Sequence, residues 1–538
     1  MASSSFLLPF FLIIFSCYIA LSSSRKSLSN HPLPTNLPRS GFRFSLQHVD
    51  SGKNLTKIQK IQRGINRGFH RLNRLGAAAV IAVSYGPDDT NNIKAPTHGG
   101  SGEFLMDLAI GNPPVKYSAI LDTGSDLIWT QCKPCTECYD QPTPIFDPKK
   151  SSSYSKVGCS SGLCEALPRS SCNQDEGACE YLYTYGDYSS TRGVLATETF
   201  TFGGENSVSG IGFGCGDENE GDGFSQGSGL VGLGRGPLSL ISQLKETKFS
   251  YCLTTIDDTE ASSSLFIGSL ASDIVNKSSG RLEGEVTKTM SLLRNPNQPS
   301  FYYLDLQGIT VGSKRLSMEK SMFQLAEDGT GGMIIDSGTT LTYLEEVLFN
   351  TLKKEFSSRM SLPVDESGST GLDLCYTLPS EAKNIAVPKL VFHFKGADLE
   401  LPGENYMVED PSTGVLCLAM GKSNGMSIFG NFQQQNFNVV HDLEKDKKGK
   451  IYTCASSSVK AIRIESDSAQ LVRAINSGSG PPELHGVISD ILAASFLFEF
   501  VCFVWIPRER NSMADSLAKV ALLATGVFVG DDDIMFPN

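Results

Sequence analysis

The chain has 538 residues, of which 46 are Lys or Arg and 58 are Asp or Glu, giving a formal net charge of −12. That length is too great for one compact domain and predicts roughly two to four domains. The acidic balance argues against nucleic acid as the main partner and suits a protein that works in acid, where carboxylates lose their mutual repulsion. Of the 14 cysteines, 12 lie between Cys132 and Cys454, and this even, clustered set predicts disulfides formed in an oxidising compartment.

The N-terminus begins with an apolar run from Phe6 to Leu21, followed by three serines at 22–24. The run has the length of the hydrophobic region of a secretory signal peptide, although no Lys or Arg precedes it. A membrane anchor is the alternative, but the run is short for a spanning helix. We therefore expect secretion.

A basic segment follows, because residues 25–74 contain 11 Lys or Arg and one acid, Asp50. Within it, Phe42–Leu46 alternates like a strand and Ile58–Leu75 repeats basic and apolar residues at helical spacing. A solvated basic arm, or one that binds an anionic surface, would have the same composition. Residues 77–101 are polar and turn-rich, and proteolytic cleavage is expected there.

The most informative pattern occurs twice. Residues 119–129 read AILDTGSDLIW and residues 333–343 read MIIDSGTTLTY. In each copy an apolar strand is predicted to end in a sharp turn that carries an aspartate, Asp122 or Asp336. The glycine two residues after each aspartate lets the backbone bend tightly. The hydroxyl residues beside it can hydrogen-bond the carboxylate.

One such tripeptide would be an ordinary turn, but two copies with matching flanks indicate a duplicated architecture. Asp122 and Asp336 are 336 − 122 = 214 residues apart, so each can belong to its own lobe. Two carboxylates that meet across such a pseudo-twofold axis share one proton. One can then act as a base on water while the other acts as an acid on a carbonyl.

The first motif is followed by a cysteine-rich stretch at positions 132, 135, 138, 159, 164, 172 and 179. A zinc site is the alternative to disulfides, but thiolates oxidise in a secreted chain. Sequence spacing by itself leaves the connectivity open. Asn54 and Asn276 begin glycosylation sequons, and only Asn276 would remain after loss of the basic segment.

Two further segments have a predicted shape. Tyr181–Val194 predicts a hairpin with a polar tip, for which an aromatic cross-strand ladder is the plain structural interpretation. Gly229–Gly236 superficially resembles a phosphate loop, but it lacks the Lys-Ser/Thr ending, so nucleotide binding is rejected. Glu345–Phe356 has a helical pattern.

The paired Asp-Thr/Ser-Gly turns resemble those of pepsin-type aspartic endopeptidases, and the cysteine-rich stretch is similar to that of the plant nepenthesin-like group. The resemblance covers roughly residues 98–455. It implies a mainly β, bilobal fold and an aspartic-type peptidase that hydrolyses polypeptides at acid pH. Asp122 and Asp336 would activate the water, with Ser125 and Thr339 orienting them. No cofactor and no metal is implied.

The same resemblance assigns further residues. Tyr185 would be the tyrosine of a flap that closes over bound peptide, with Trp129 as its hydrogen-bond partner. Tyr188 departs from the family, which usually has Gly there. Gly229–Gly236 and Ser427–Asn431 would pack beneath the two catalytic turns. The disulfides implied are Cys132–Cys135, Cys138–Cys215, Cys159–Cys179, Cys164–Cys172, Cys252–Cys454 and Cys375–Cys417.

The domains implied are a signal peptide at 1–24, a propeptide and activation linker at 25–97, protease lobes at 98–285 and 286–455, and a tail at 456–538. The propeptide would lie across the acidic cleft, held by ion pairs that weaken when carboxylates protonate. The mature enzyme would be a monomer without a membrane partner, extracellular or, as an alternative, vacuolar. A binding protein that has the same fold but no catalysis is the competing class.

The tail, 456–538, resembles the C-terminal half of plant ribonuclease H-like domains, with Asp467 and Asp515 as two of the metal-binding carboxylates. The strand and helix that carry the other two are absent, so the two-metal clamp cannot assemble, and no functional nucleic-acid partner is expected. A chimera with a nucleic-acid-binding tail is the alternative. A membrane span at Val487–Ile506 is disfavoured by Asp490 and Glu499. The last lobe segment, residues 444–454, has fewer apolar residues than the family's final strand.

Overall fold

The structure is a computed structural model, and it divides into two units: residues 38–456, and residues 1–37 together with 457–538. It describes residues 41–65 except 52, the strands 461–466 and 500–505, and residues 104–453 with gaps at 186–188, 203–205, 222–223, 225–226, 257–262, 272–287, 380–384 and 445–447. Several predictions concern residues outside these ranges: the signal peptide, the activation linker, Tyr188, Asn276, Cys454, Asp467 and Asp515.

The larger unit is built mainly from strands. They are β1 (Gly41–His48), β2 (Phe104–Ile110), β3 (Val115–Asp122), β4 (Trp129–Gln131), β5 (Ser155–Lys156), β6 (Ser170–Asn173), β7 (Ala178–Thr184), β8 (Ser190–Phe202), β9 (Asn206–Glu220), β10 (Gly229–Gly232), β11 (Lys248–Cys252), β12 (Ser263–Gly268), β13 (Lys288–Leu293), β14 (Tyr303–Leu304), β15 (Leu306–Val311), β16 (Lys314–Arg315), β17 (Met333–Ile335), β18 (Thr342–Glu345), β19 (Val364–Asp365), β20 (Cys375–Thr377), β21 (Leu390–Phe394), β22 (Ala397–Leu401), β23 (Met407–Asp410), β24 (Val415–Leu418), β25 (Met420–Ser423), β26 (Ser427–Phe429), β27 (Phe437–Asp442) and β28 (Lys448–Thr453).

Helices are few and short among the described residues of this unit. The α-helices are Gly162–Glu165, Leu240–Gln243, Glu346–Arg359 and Asn431–Gln434, residues 57–65 are also helical, and the 3-10 helices are Pro148–Lys150, Lys320–Met322 and Gly403–Asn405. The longest begins where predicted, because the Glu345 side chain accepts hydrogen bonds from the first free backbone amides. It buries Leu348, Leu352 and Phe356, which recur at helical spacing on one face.

Alternating burial explains the long strands. In β8, Phe200 and Phe202 point into the core while their neighbours are half-buried, and β8 forms a long antiparallel hairpin with β9. The two halves of the unit are joined by a shared sheet, because β11 pairs antiparallel with β27 from Lys248↔Asp442 to Cys252↔Asn438. The expected mainly β, bilobal architecture is therefore confirmed.

The basic N-terminal segment belongs to this unit. The predicted strand is present as β1, which pairs antiparallel with β12 from Gly41 to Leu46 and with β2 from Leu46 to His48. Phe44 and Leu46 are buried in the core. Of the predicted Ile58–Leu75 helix, residues 57–65 are described and are helical. The segment is an integrated layer of the fold over these ranges, unlike a solvated arm.

The first four predicted disulfides are wrong. Cys132 is bonded to Cys215, and Cys135 to Cys138. The reason is that β4 and β9 pair in parallel with Thr130 opposite Cys215. Cys132, which directly follows β4, therefore lies near Cys215, with 5.3 Å between their Cα atoms. Only a short local loop then remains for Cys135 and Cys138.

The next two bonds are Cys159–Cys172 and Cys164–Cys179. Cys164 and Cys179 are both buried, whereas Cys172 is exposed, so the buried sulfurs pair with each other.

Of the two remaining predicted disulfides, Cys375–Cys417 is confirmed, because the two residues lie opposite each other on β20 and β24. Cys252 is disulfide-bonded to a partner outside the described residues, so its pairing with Cys454 stays a prediction.

In the smaller unit the structure describes two strands, β29 (Ala461–Ser466) and β30 (Phe500–Trp505). They pair in parallel from Ala461↔Phe500 to Ser466↔Trp505. Among the described residues, no helix is long and apolar enough to cross a membrane.

Candidate active site

The first aspartate lies where β3 ends. β10 runs parallel to β3 with Gly232 opposite Asp122, and both are deep in the core. The Gly124 amide donates to Asp122 Oδ1 at 2.9 Å, and Ser125 Oγ donates to Oδ2 at 2.6 Å. Each carboxylate oxygen thus has a donor from its own turn, which fixes the orientation of the group and favours its ionised form.

The second aspartate has the same local geometry. β17 ends one residue before Asp336 and runs parallel to β26, with Ile335 opposite Phe429. The Gly338 amide donates to Asp336 Oδ1 at 2.9 Å, and Thr339 Oγ1 donates to Oδ2 at 2.6 Å. The two segments predicted to pack beneath the turns are therefore β10 and β26, each running alongside the strand that delivers an aspartate.

The two turns are joined directly. The Thr123 amide donates to Ser337 Oγ at 3.2 Å, and the Ser337 amide donates to Thr123 Oγ1 at 2.9 Å. Because these residues immediately follow the two aspartates, the exchange brings the aspartates together although they are 214 positions apart, 336 − 122. The sequence predicts that such hydroxyl residues bond a carboxylate, but Thr123 and Ser337 bond the backbone amides of the opposite turn. The available signal was a hydroxyl residue at the same place in both motifs.

The predicted flap residues lie beside the first turn. Tyr185 directly follows β7, and its ring centroid is 6.5 Å from that of Trp129 on β4; both side chains are buried. Burial holds the pKa of Tyr185 well above its usual range, the Tyr183 and Asp122 groups add to that rise, and the neighbouring Trp129 indole opposes it. The phenol is therefore neutral at acid and neutral pH.

Phe224 is a residue of this region that the sequence analysis missed. Its ring packs edge-on against Trp129 at 4.6 Å and against Tyr185 at 5.2 Å between centroids. It is fully buried and completes an aromatic wall beside Asp122. No local pattern marks it, since it stands alone among Gly, Asp and Ser residues.

The described part of the N-terminal segment touches the second turn. Gly64 lies so close to Thr340 that a Cβ at position 64 would collide with the Thr340 side chain. Nearby, the Lys60 ammonium donates to the Ile256 carbonyl at 2.7 Å. The segment is also braced internally, because the buried Asp50 forms ion pairs with Lys53 at 2.9 Å and Arg63 at 3.1 Å.

The zinc alternative for the cysteines does not fit the structure, because every cysteine described between residues 132 and 417 is in a disulfide and has no thiolate to offer. Within the described ranges, no cluster of three or more His, Cys, Asp or Glu side chains could hold a metal ion. The chemistry available at the joined turns is that of two buried carboxylates with matched hydrogen bonds.

Comparisons with known families and solved structures give the class of protein to which this fold belongs. Residues 104–269 match the family model for the Xylanase inhibitor N-terminal domain, and 301–449 match its C-terminal counterpart. Basic 7S globulin from soybean has the same fold, with a TM-score of 0.52 at 16% identity over 78% of this chain and 98% of that one. Conglutin gamma from lupine seeds has a TM-score of 0.50 at 18% identity over 67% and 93%.

Sequence relatives identify the family. Aspartic proteinase nepenthesin-1 from Nepenthes gracilis is 49% identical over 446 residues, 82% of this chain and 96% of the relative. Nepenthesin-2 from the same plant is 46% identical over 425 residues, 79% and 92% of the two chains. The chain belongs to the nepenthesin-like family of plant aspartic proteinases and is an aspartic-type endopeptidase. Its residues 451–521 match the Reverse transcriptase-like family model, which identifies a ribonuclease H-like fragment in the tail.

Proposed function

We propose that this chain is a secreted zymogen whose mature form hydrolyses peptide bonds of extended polypeptides at acid pH, with Asp122 and Asp336 as the catalytic pair. The observation that carries the proposal is the exchange of hydrogen bonds between Thr123 and Ser337, which holds the two aspartate turns together. The likeness to proteins named nepenthesin supports the same reaction class.

The chemistry follows from the paired carboxylates. Two such groups side by side cannot both ionise easily, so they hold one proton between them. The ionised member takes a proton from water as the water attacks the scissile carbonyl, and the protonated member donates to the carbonyl oxygen. Ser125 and Thr339 hold the carboxylates in position through the process. The Tyr185 hairpin covers the reacting bond and excludes other water.

The zymogen part of the proposal is supported by the N-terminal segment. Its strand β1 is paired with β12 and β2, and its helical residues 57–65 contact Thr340 beside the second turn. A segment held there would block substrate until the chain is cleaved in the linker at residues 77–101. Acid would weaken the internal bracing of the segment, because protonation of Asp50 removes its charge from the ion pairs with Lys53 and Arg63.

The test is Asp336→Asn in the full-length chain, followed by removal of the N-terminal segment. We expect a loss of peptidase rate of at least about 10³-fold, as for other groups that act as a unit, with an unchanged circular dichroism spectrum. Asp175→Asn, at an exposed carboxylate, is the matched control and should keep the wild-type rate. A near-native rate for Asp336→Asn would refute the assignment.

The competing class is a binding protein without catalysis. It is worth testing because the matching family models are described as xylanase inhibitor domains. A peptide containing statine, which mimics the tetrahedral intermediate, discriminates the two. An active pair should bind it tightly, and binding should be lost in Asp336→Asn.

For the tail we propose that it adds no nuclease. Asp467 and Asp515 provide two carboxylates where the two-metal mechanism needs four. A chain ending after Cys454 should keep the peptidase activity. Mg²⁺-dependent cleavage of an RNA·DNA hybrid by the full chain, lost in Asp467→Asn, would show that the tail is a second enzyme.

A further inference from the structure

One buried carboxyl group next to the active site has no part in the chemistry above. Asp126 follows Ser125 in the first turn and is only 8% exposed. Its Oδ1 accepts a hydrogen bond from the Gly236 amide at 2.8 Å, and its Oδ2 accepts one from Ser300 Oγ. A carboxyl group is seldom buried without a role, because removing it from water is costly.

The loop after β10 is shaped around this group. A Cβ at Gly234 or Gly236 would collide with the carboxylate oxygens of Asp126. The two glycines therefore let the loop close around the side chain, and the Gly234 amide also donates to the Ser125 carbonyl at 2.8 Å. The contact is a built feature of the support beneath the first turn.

Ser300 carries the contact into the other half of the molecule. Its carbonyl accepts from the Arg235 amide at 3.0 Å, and the Tyr302 hydroxyl donates to the Leu233 carbonyl at 2.7 Å. The Tyr302 carbonyl in turn accepts from the Ile335 amide at 3.0 Å, one residue before the second catalytic aspartate. A path made of these hydrogen bonds and of the backbone from Ser300 to Tyr302 thus connects Asp126 with the start of the second turn.

The charged and titratable groups around Asp126 come from each element packed on it: Asp122 on its own turn, Arg235 on the loop, and Tyr302 on the opposite segment. Burial raises the pKa of Asp126, while hydrogen bonds from Ser300 and Gly236 oppose that rise and the charge of Asp122 adds to it. Burial also holds the pKa of Tyr302 well above its usual range. Asp126 is thus a buried carboxyl group outside the catalytic pair, and its pKa lies above the ordinary value.

We propose that Asp126 is a positioning residue of the peptidase: it ties the loop beneath the first turn to the segment that leads into the second, and its negative charge helps the catalytic pair keep the shared proton as the pH rises. This inference rests on the proposed function. Its consequence is that Asp126 extends activity towards neutral pH, because a nearby negative charge disfavours a second negative charge on the pair. At strongly acid pH Asp126 is protonated and exerts no such effect.

The experiment measures the pH dependence of kcat/KM for Asp126→Asn after removal of the N-terminal segment. Asparagine keeps an acceptor for Gly236 and can donate to Ser300, so the tie persists while the charge is lost. We expect the neutral-side apparent pKa to fall by about half a unit or more and the acid-side one to stay. The plateau rate should fall about threefold, because one accepted hydrogen bond is replaced by a weaker one.

Two further variants separate charge from support. Tyr302→Phe removes the bond to Leu233 and leaves the charge on Asp126, so the plateau rate should fall without a shift of the neutral-side limb. Asp175→Asn removes an exposed charge and should change neither. If Asp126→Asn has the wild-type pH profile while Asp336→Asn is inactive, the inference is wrong and the proposed function stands. If Asp336→Asn is active, the proposed function itself fails.

Should Asp126→Asn not fold, carboxyl carbon NMR of the wild-type enzyme decides the question. An Asp126 resonance whose titration moves when a statine peptide occupies the catalytic pair supports the coupling. A titration that is identical with and without the peptide overturns it.

Discussion

The two catalytic turns have the same hydrogen bonds at their aspartates but are supported by different chemistry. Beneath the first turn stands a carboxyl group, Asp126, enclosed by a glycine-rich loop. Beneath the second stand amides: Asn431 donates to the Ser337 carbonyl at 2.9 Å, and Gln434 donates to the Asp336 carbonyl at 3.3 Å. Duplicated motifs therefore do not guarantee duplicated electrostatics.

The difference matters because the carboxyl group beneath the first turn can titrate in acid, whereas the amides beneath the second turn cannot. The Gln434 amide accepts a hydrogen bond from Tyr251 at 2.6 Å, and burial, with a smaller contribution from Asp336, holds the pKa of Tyr251 well above its usual range. The second turn thus rests on neutral groups at every working pH, whereas the first rests on a group whose charge depends on pH. We expect variants of the two supports to differ in pH dependence.

The largest expected effect concerns His441, which lies on β27 in the sheet shared by both halves. It stacks on Phe249 at 4.3 Å between ring centroids. Burial, with a smaller contribution from the positive Arg235, lowers its pKa to about 3. The unfolded chain binds this proton below about pH 6.5, whereas the folded chain does not until about pH 3, so the free energy of unfolding falls across that window as the pH falls.

The lost stability amounts to about 3 kcal/mol between pH 7 and pH 4. His441→Phe should remove this pH-dependent loss, which urea denaturation at the two pH values would measure. Phe249→Leu is the control: it weakens the stacking but removes no titratable group, so it should lower stability equally at both pH values. An unchanged pH dependence in His441→Phe would contradict the prediction.

A smaller loss of stability is expected when the neutral groups beneath the second turn are changed. Gln434→Leu removes the acceptor of the Tyr251 hydroxyl and one donor to each of the Asp336 and Phe429 carbonyls, at a cost of about 2 kcal/mol in the free energy of unfolding. Because these groups do not titrate in acid, the loss should be equal at pH 4 and pH 7. Tyr251→Phe removes one hydroxyl and should cost about 1 kcal/mol. A loss that depended on pH would show that the second support is not neutral.

The smallest effect tests the bonds between the turns themselves. Ser337 Oγ accepts from the Thr123 amide and donates to the Leu121 carbonyl at 3.3 Å, whereas Thr123 Oγ1 accepts only from the Ser337 amide among the contacts described. We expect kcat to fall about tenfold for Ser337→Ala and about threefold for Thr123→Val, in proportion to the bonds lost. A larger fall of kcat for Thr123→Val than for Ser337→Ala would contradict this prediction.

Local features were predictable from the sequence. The two aspartate turns, the strand β1 and the Glu346–Arg359 helix depend on nearby residues, whose spacing and capping groups are visible in the sequence. The disulfides near the first motif were not predictable, because Cys132 finds Cys215 only once β4 and β9 have paired.

The same reason explains the unpredicted parts of the site. Asp126 meets Ser300 from 174 residues away, and Phe224 reaches Trp129 through the fold of a separate loop. Neither contact has a periodicity or a motif. Contacts between residues so far apart in the sequence form only when the intervening strands have paired, so the sequence alone does not predict them.

The position of β1 has a practical consequence for producing this enzyme. A polypeptide expressed without residues 41–48 would leave unpaired amides and carbonyls along β12 from Ser263 to Gly268, and would uncover the groove that holds Phe44 and Leu46. Exposed strand edges beside apolar surface recruit other chains and aggregate. The N-terminal segment covers this edge in the precursor, so recombinant protein should be made as the full precursor.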